Sequence, residues 1–304
     1  MKIQRAGLPV LLLLTFLVSC RQEETTLIYK PGTPDPTLQP DLTETPHQTN
    51  GDGQLTQSPT DEIPTPEGIG PICAERAGQI QEYQIPWQDE TLFGRIYTPP
   101  CYGENDRVYP TLYLLHGATE SEIQWDELGV DEMADELISS GEIPPLIIVL
   151  PREITWVNPS ENPFGSQLVQ TLIPWVDSQF RTYGEREYRA VGGVSRGGNW
   201  AIRLGLLHWG LFGSLGGHSA PLFFGDLNRI PGWLEDIPTE ALPRIYLDVA
   251  EADKNLAEAE SLREILEDAG ASPQWHLYPG LHNEAYWSSH LEEYLLWYSE
   301  GWSD

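Results

Sequence analysis

From Gly70 onward, short apolar runs alternate with segments of helical spacing. The runs read as strands: Leu92–Thr98, Thr111–Leu115, Leu146–Leu150, Arg189–Val194, Phe212–Gly216, Ile245–Ala250 and Gln274–Tyr278. Between them, Val130–Ser139 carries Met133, Leu137 and Ile138 on one helical face, and Leu168–Phe180 carries Leu168, Leu172, Val176 and Phe180. Leu256–Ala269 repeats the pattern with Leu262, Ile265 and Leu266, stopped by Gly270, and an aromatic-rich final helix is expected near Glu284–Tyr298. Strands alternating with helices predict an α/β fold with a mostly parallel central sheet and helices on both faces. The unbroken run Leu146-Ile147-Ile148-Val149-Leu150 suits a central strand buried on both sides.

The N-terminal pattern is different. Lys2 and Arg5 precede an apolar stretch from Leu8 to Val18, the layout of a secretory signal over residues 1–19. The stretch is short of the roughly 20 residues that a membrane span needs. It ends in Leu17-Val18-Ser19-Cys20, which resembles the bacterial lipobox, and the resemblance implies lipidation of Cys20. From residue 20 to about 70, Pro, Thr, Asp, Glu, Gln and Gly dominate. That composition cannot bury enough apolar surface to offset its ordering entropy, so a disordered stalk is expected. Residues 71–304 remain as one domain.

Composition narrows the partners. There are 17 basic against 46 acidic residues, a formal net charge of −29, which disfavours nucleic acid and anionic head groups. With Cys20 assigned to lipid, Cys73 and Cys101 are left as an even pair in an oxidising compartment, and a disulfide is expected between them. Export, lipid and membrane attachment together predict an extracytoplasmic, membrane-anchored bacterial lipoprotein. No metal-spaced Cys/His cluster occurs, and no metal site is expected from it.

The chemistry gathers around Gly193-Val194-Ser195-Arg196-Gly197-Gly198. Apolar Ala190-Val191 lead in as a strand and Trp200-Ala201-Ile202-Arg203-Leu204 lead out as a helix, the setting of a nucleophile elbow. A serine hydroxyl needs a base. Of seven histidines, His282 follows a strand end and precedes the last helix, where catalytic groups of α/β folds collect. His218, in a loop after another expected strand, is its best rival. In this elbow-bearing fold the acid falls between serine and histidine. Asp253, after Ile245–Ala250, is the candidate that could orient the imidazole, with Asp248 and Glu251 as competitors and a helix N-cap as its plainer role. Oxyanion donors are expected from the N–H of Arg196 and from Gly117 or Ala118 in Leu114-Leu115-His116-Gly117-Ala118. His116 itself reads as a structural hydrogen-bonder. Trp125 and Trp156 are candidate substrate-stacking rings, supported by Phe223, Phe224 and Trp233.

These motifs resemble the esterase family that includes feruloyl and acetylxylan esterases, S-formylglutathione hydrolase, enterochelin esterases and mycolyltransferases. The resemblance is carried by Tyr97-Thr98-Pro99-Pro100-Cys101-Tyr102, Tyr113-Leu114-Leu115-His116-Gly117, the segment around Ser195, and Gly280-Leu281-His282-Asn283. It implies an α/β-hydrolase fold, a Ser-His-Asp triad and ester hydrolysis without metal or cofactor. Ala250-Glu251-Ala252-Asp253 departs from it, because many members carry a Gly two or three residues before the acid. The expected substrate is an ester, presented on a carbohydrate or another extracellular polymer. An acyltransferase on the same triad and a non-catalytic binding lipoprotein are the alternatives.

Overall fold

The computed structural model describes Cys73 and residues 75–302. The expected signal, the Cys20 lipidation site and the stalk lie outside the described residues. Strands β1 Gln79–Trp87, β2 Glu90–Thr98, β3 Thr111–Leu115, β4 Ile147–Pro151, β5 Arg189–Val194, β6 Ser214–His218, β7 Arg244–Ala250 and β8 Gln274–Tyr278 form one sheet in the order β1-β2-β4-β3-β5-β6-β7-β8. The β1–β2 and β2–β4 pairings are antiparallel, and every pairing from β4 to β8 is parallel.

Side-chain alternation along the central strands divides the core in two. Tyr113 and Leu115 of β3, Ile147 and Val149 of β4, and Ile245 and Leu247 of β7 face one cluster. That cluster is closed by α5 Arg196–Leu207, α6 Ile230–Glu235 and α7 Leu256–Asp268, and by the segment Phe164–Gln179. Leu112 and Leu114, Ile148 and Leu150, and Tyr246 and Ala250 face the other, closed by α2 Val130–Ser140 and α9 Leu291–Ser299. The short helices α1 Gln124–Glu127 and α8 Glu284–Ser288 flank these. Burial on both faces explains why the strands read as continuous apolar runs.

Departures from the expected elements have local causes. β1 was not expected, because its sequence QIQEYQIPW buries only Tyr83 and Ile85. It is an edge strand, half in water, where Pro86 costs no ladder bond to a second neighbour. β6 begins two residues later than the apolar signal suggests and runs through Gly216 and Gly217 to His218. Those glycines carry no apolar signal, yet a Cβ at Gly192 or Gly216 would meet the Tyr298 hydroxyl at 1.8 Å. The tyrosine fills the space that two paired strand residues leave open. The helix expected over Leu168–Phe180 is instead α3 Phe164–Gln167, a π-helical turn Leu168–Leu172 and α4 Ile173–Gln179. Pro174 has no N–H for the ladder, and the wider turn falls just before it. The final helix divides into α8 and α9, with Asn283 capping α8 through its side chain at Tyr286 N, 3.1 Å.

Cys73 and Cys101 are disulfide-bonded, tying the first described residue to the end of β2.

Candidate active site

β5 runs directly into α5 through a backbone turn that only small neighbours permit. A Cβ at Gly197 would lie 2.0 Å from the Leu115 carbonyl oxygen, and one at Gly193 2.4 Å from the Gly197 carbonyl carbon. Ser195 sits between them at φ 51°, ψ −118°, a region that non-glycine residues occupy only under constraint. Its N–H donates to the His218 carbonyl at 2.8 Å, which pins the turn to the end of β6. The side chain is left part-exposed at the N-terminus of α5.

Two loops complete the constellation. His282, after β8, places Nε2 2.9 Å from Ser195 Oγ and Nδ1 2.8 Å from Asp253 Oδ2. Asp253, just past β7, accepts the Asn255 N–H on its other oxygen at 2.8 Å. Burial alone would push the Asp253 carboxyl up. The hydrogen bonds from His282 and Asn255, the imidazole and the Ser219 hydroxyl outweigh it and hold the group below the usual carboxylate value. Trp287 meets the His282 ring edge to face at 5.2 Å. The arrangement presents a hydroxyl, a base in contact with it and an ionised group that orients the base.

Neither of the other acids reaches this imidazole. Asp248 lies inside β7 on the face opposite Leu247, with its side chain fully buried. It accepts from His218 Nδ1 at 2.6 Å, Tyr286 Oη at 2.7 Å and Tyr294 Oη at 2.9 Å. Glu251 is exposed. His218 stands at the end of β6, not in a loop as the sequence suggested. Asp248 and the Tyr298 hydroxyl, 3.0 Å from Nε2, occupy both its nitrogens, so it has none to offer Ser195.

The oxyanion candidates separate in the same way. Gly117 N–H is committed to Gln124 Oε1 at 2.8 Å, which leaves Ala118, exposed beside Gly117, as the remaining candidate from that loop. Arg196 is the first residue of α5, where N–H groups have no intrahelical acceptor. His116 bridges structure, as expected: Nδ1 donates to Gly117 O at 2.8 Å and Nε2 accepts from Glu153 N at 2.9 Å. Burial lowers its pKa and keeps the ring neutral.

One aromatic assignment is wrong. Trp125 is 1% exposed, its indole N–H donates to Leu115 O at 3.1 Å, and its ring packs against His218. It belongs to the core and offers no face to a substrate. Trp156 is half exposed on the loop that follows β4. Phe223 is buried, with Arg196 stacked on it at 5.0 Å, whereas Phe224 is almost fully exposed.

Glu153 was not anticipated. It is buried and grips Arg196 with two hydrogen bonds, Nε to Oε2 at 2.8 Å and Nη2 to Oε1 at 2.6 Å. Asn162 adds a third at 2.6 Å, and Arg196 Nη2 also reaches Val157 O at 2.8 Å. The available signal was its position, two residues beyond the carboxyl end of a central parallel strand, where site residues of α/β sheets gather.

The family model "Putative esterase" matches residues 89–298. An esterase of Mycobacterium tuberculosis is 35% identical over 136 residues, 41% of this chain and 28% of that protein. An endo-1,4-beta-xylanase/feruloyl esterase of Xylanibacter ruminicola is 32% identical over 140 residues, 40% of this chain and 19% of that protein. The chain thus spans less than a third of the length of these curated relatives. Among solved structures, a ferulic acid esterase superposes with TM-score 0.67 at 22% identity, covering 74% of this chain and 100% of that one. An S-formylglutathione hydrolase of Staphylococcus aureus gives 0.58 at 17%, covering 73% and 98%. These superpositions establish the α/β-hydrolase fold, and with the family match over the site-bearing residues, the chain belongs to the esterase family.

Proposed function

We propose that the protein is a serine carboxylic-ester hydrolase, exported and held at a membrane through lipid on Cys20, that works through an acyl-enzyme on Ser195. The observation that carries this reading is the unbroken relay from Ser195 Oγ to His282 (2.9 Å) to Asp253 (2.8 Å) at a strained elbow. His282 Nε2 takes the hydroxyl proton as Oγ attacks the ester carbonyl. The charge that develops on the carbonyl oxygen meets the N–H groups of Arg196 and Ala118 at the positive end of α5. The imidazolium then protonates the leaving alcohol, and Asp253 stabilises its charge without taking the proton. Water, activated by the same imidazole, releases the acid and restores Ser195.

The ester is proposed to be one displayed on a carbohydrate or similar polymer. Three features support this: the feruloyl esterase and xylanase names of the relatives, the half-exposed Trp156 on the loop that Arg196 holds at Val157, and a strongly acidic chain suited to neutral substrates. The test compares kcat/KM on feruloylated and acetylated oligosaccharides with that on aryl acetates and S-formylglutathione, for wild type and Ser195→Ala. Preference for the oligosaccharides, lost in Ser195→Ala, is the expected result. A preference for the small thioester by orders of magnitude refutes the polymer assignment, and undiminished turnover in Ser195→Ala refutes the nucleophile.

A further inference from the structure

The two proposed oxyanion donors come from segments nearly eighty residues apart, yet both are referred to one residue, Glu153. On one side, the Glu153 carboxylate holds the Arg196 guanidinium in a fork. On the other, the Glu153 N–H donates to His116 Nε2 at 2.9 Å, and the far side of that ring, Nδ1–H, donates to the Gly117 carbonyl at 2.8 Å. Gly117 C=O and Ala118 N–H belong to one peptide unit. That unit is planar and trans, as no cis peptide occurs among the described residues. In a trans unit the carbonyl and the N–H point in opposite directions, so a donor that fixes the oxygen also fixes where the N–H aims. The preceding peptide is held as well, by Gly117 N–H to Gln124 Oε1 at 2.8 Å.

We propose that His116 is a positioning residue for ester hydrolysis: its Nδ1–H sets the aim of the Ala118 N–H through the shared Gly117–Ala118 peptide plane, and Glu153 anchors that plane and Arg196 together. The proposal rests on the reading of Ala118 and Arg196 as oxyanion donors. It needs the neutral ring with the proton on Nδ1, which is the tautomer its two partners require, a carbonyl on one side and an N–H on the other. Burial, which disfavours the charged ring, supports the same state.

Two substitutions divide the ring's bonds between them. In His116→Asn the amide N–H stands near the position of Nδ1 and keeps the grip on Gly117 O while losing Glu153. In His116→Gln the amide oxygen stands near Nε2 and keeps Glu153 while releasing Gly117 O. A passive packing role treats both alike. With p-nitrophenyl acetate as probe, His116→Gln is expected to lose about 10–100-fold in kcat with little change in KM, part of the ~10²–10³ that removal of a whole donor costs. His116→Asn should stay within about fivefold of wild type, although both variants lose a buried bond and melt earlier. A third variant, Glu153→Gln, leaves both His116 bonds in place and weakens the Arg196 clamp along with the Asn162 bond to the same side chain; it should lower kcat several-fold with KM unchanged. Equal kcat losses in the two His116 variants, a better Gln than Asn variant, or unchanged kcat in Glu153→Gln overturns the proposal while wild-type, Ser195-dependent turnover leaves the esterase reading intact. Wild type without Ser195-dependent turnover overturns both.

Discussion

Two Asp–His pairs lie at the carboxyl end of the same sheet, and the proposed mechanism gives them opposite jobs. Exchanging each aspartate for asparagine separates them. The side chain of Asp248 is fully buried and takes three donors, from His218, Tyr286 and Tyr294. Burial first, and the charge of Asp248 second, push both tyrosine hydroxyls well above their ordinary pKa, so they remain donors. Asparagine replaces three charge-assisted bonds by neutral ones, each weaker by about 1 kcal/mol. It also turns an NH2 towards His218, which must change tautomer and so compete with the Tyr298 hydroxyl. Asp248→Asn should therefore cost about 3 kcal/mol or slightly more, and lower Tm by roughly 6–12 °C in a domain of this size. Its kcat, measured well below that Tm, should stay within a few-fold of wild type. Asp253→Asn should invert the result. Its amide N–H faces His282 Nδ1 and favours the wrong tautomer, a change that costs up to ~10⁴ in kcat in a comparable triad, while Tm moves little. Chemical denaturation and initial rates on one ester settle both numbers. A folded Asp248→Asn protein with thousands-fold lower kcat, beside a nearly active Asp253→Asn, would contradict the assignment of the acid.

Two further outcomes are expected. Cys73→Ala/Cys101→Ala opens a loop with a sequence separation of 28 and should lose roughly 3.5 kcal/mol in the chain-entropy model; an unchanged denaturation midpoint relative to the oxidised wild type would show that the cross-link does not stabilise it. His208 has its pKa lowered to about 4 by burial and then by Arg203. The unfolded chain takes up this proton near its ordinary value and the folded one does not, so stability is full above about pH 6.5 and falls as pH drops towards 4. His208→Gln should therefore lose less stability than wild type between pH 7.5 and 5, by up to about 2 kcal/mol, and parallel losses in the two proteins would show that His208 is not the group involved.

Much of the scaffold was legible because the parallel strands are buried on both faces. Thr111–Leu115, Arg189–Val194 and Gln274–Tyr278 coincide with the expected strands. What could be read from residue type and order was the relay itself: Ser195, Asp253 and His282 come together as their positions suggested. What could not be read depends on neighbours distant in sequence. A half-polar edge strand such as β1 becomes a strand only through its pairing with β2. Nothing in the residue type Trp separates the buried Trp125 from the exposed Trp156; the first packs into the core with its N–H on Leu115 O, and the second lies on an exposed loop. The Glu153–Arg196 fork joins residues 43 apart, and either alone would pass for a surface charge.

The central claim is that Ser195 is a nucleophile activated by His282. The most direct measurement is intact-mass and peptide mapping of the folded protein after reaction with an active-site-directed fluorophosphonate, for wild type, Ser195→Ala and His282→Ala. The account predicts one adduct per chain, on the peptide carrying Ser195, absent from Ser195→Ala and strongly slowed in His282→Ala. An adduct that persists in Ser195→Ala, or a folded wild-type chain that takes up none, would contradict it.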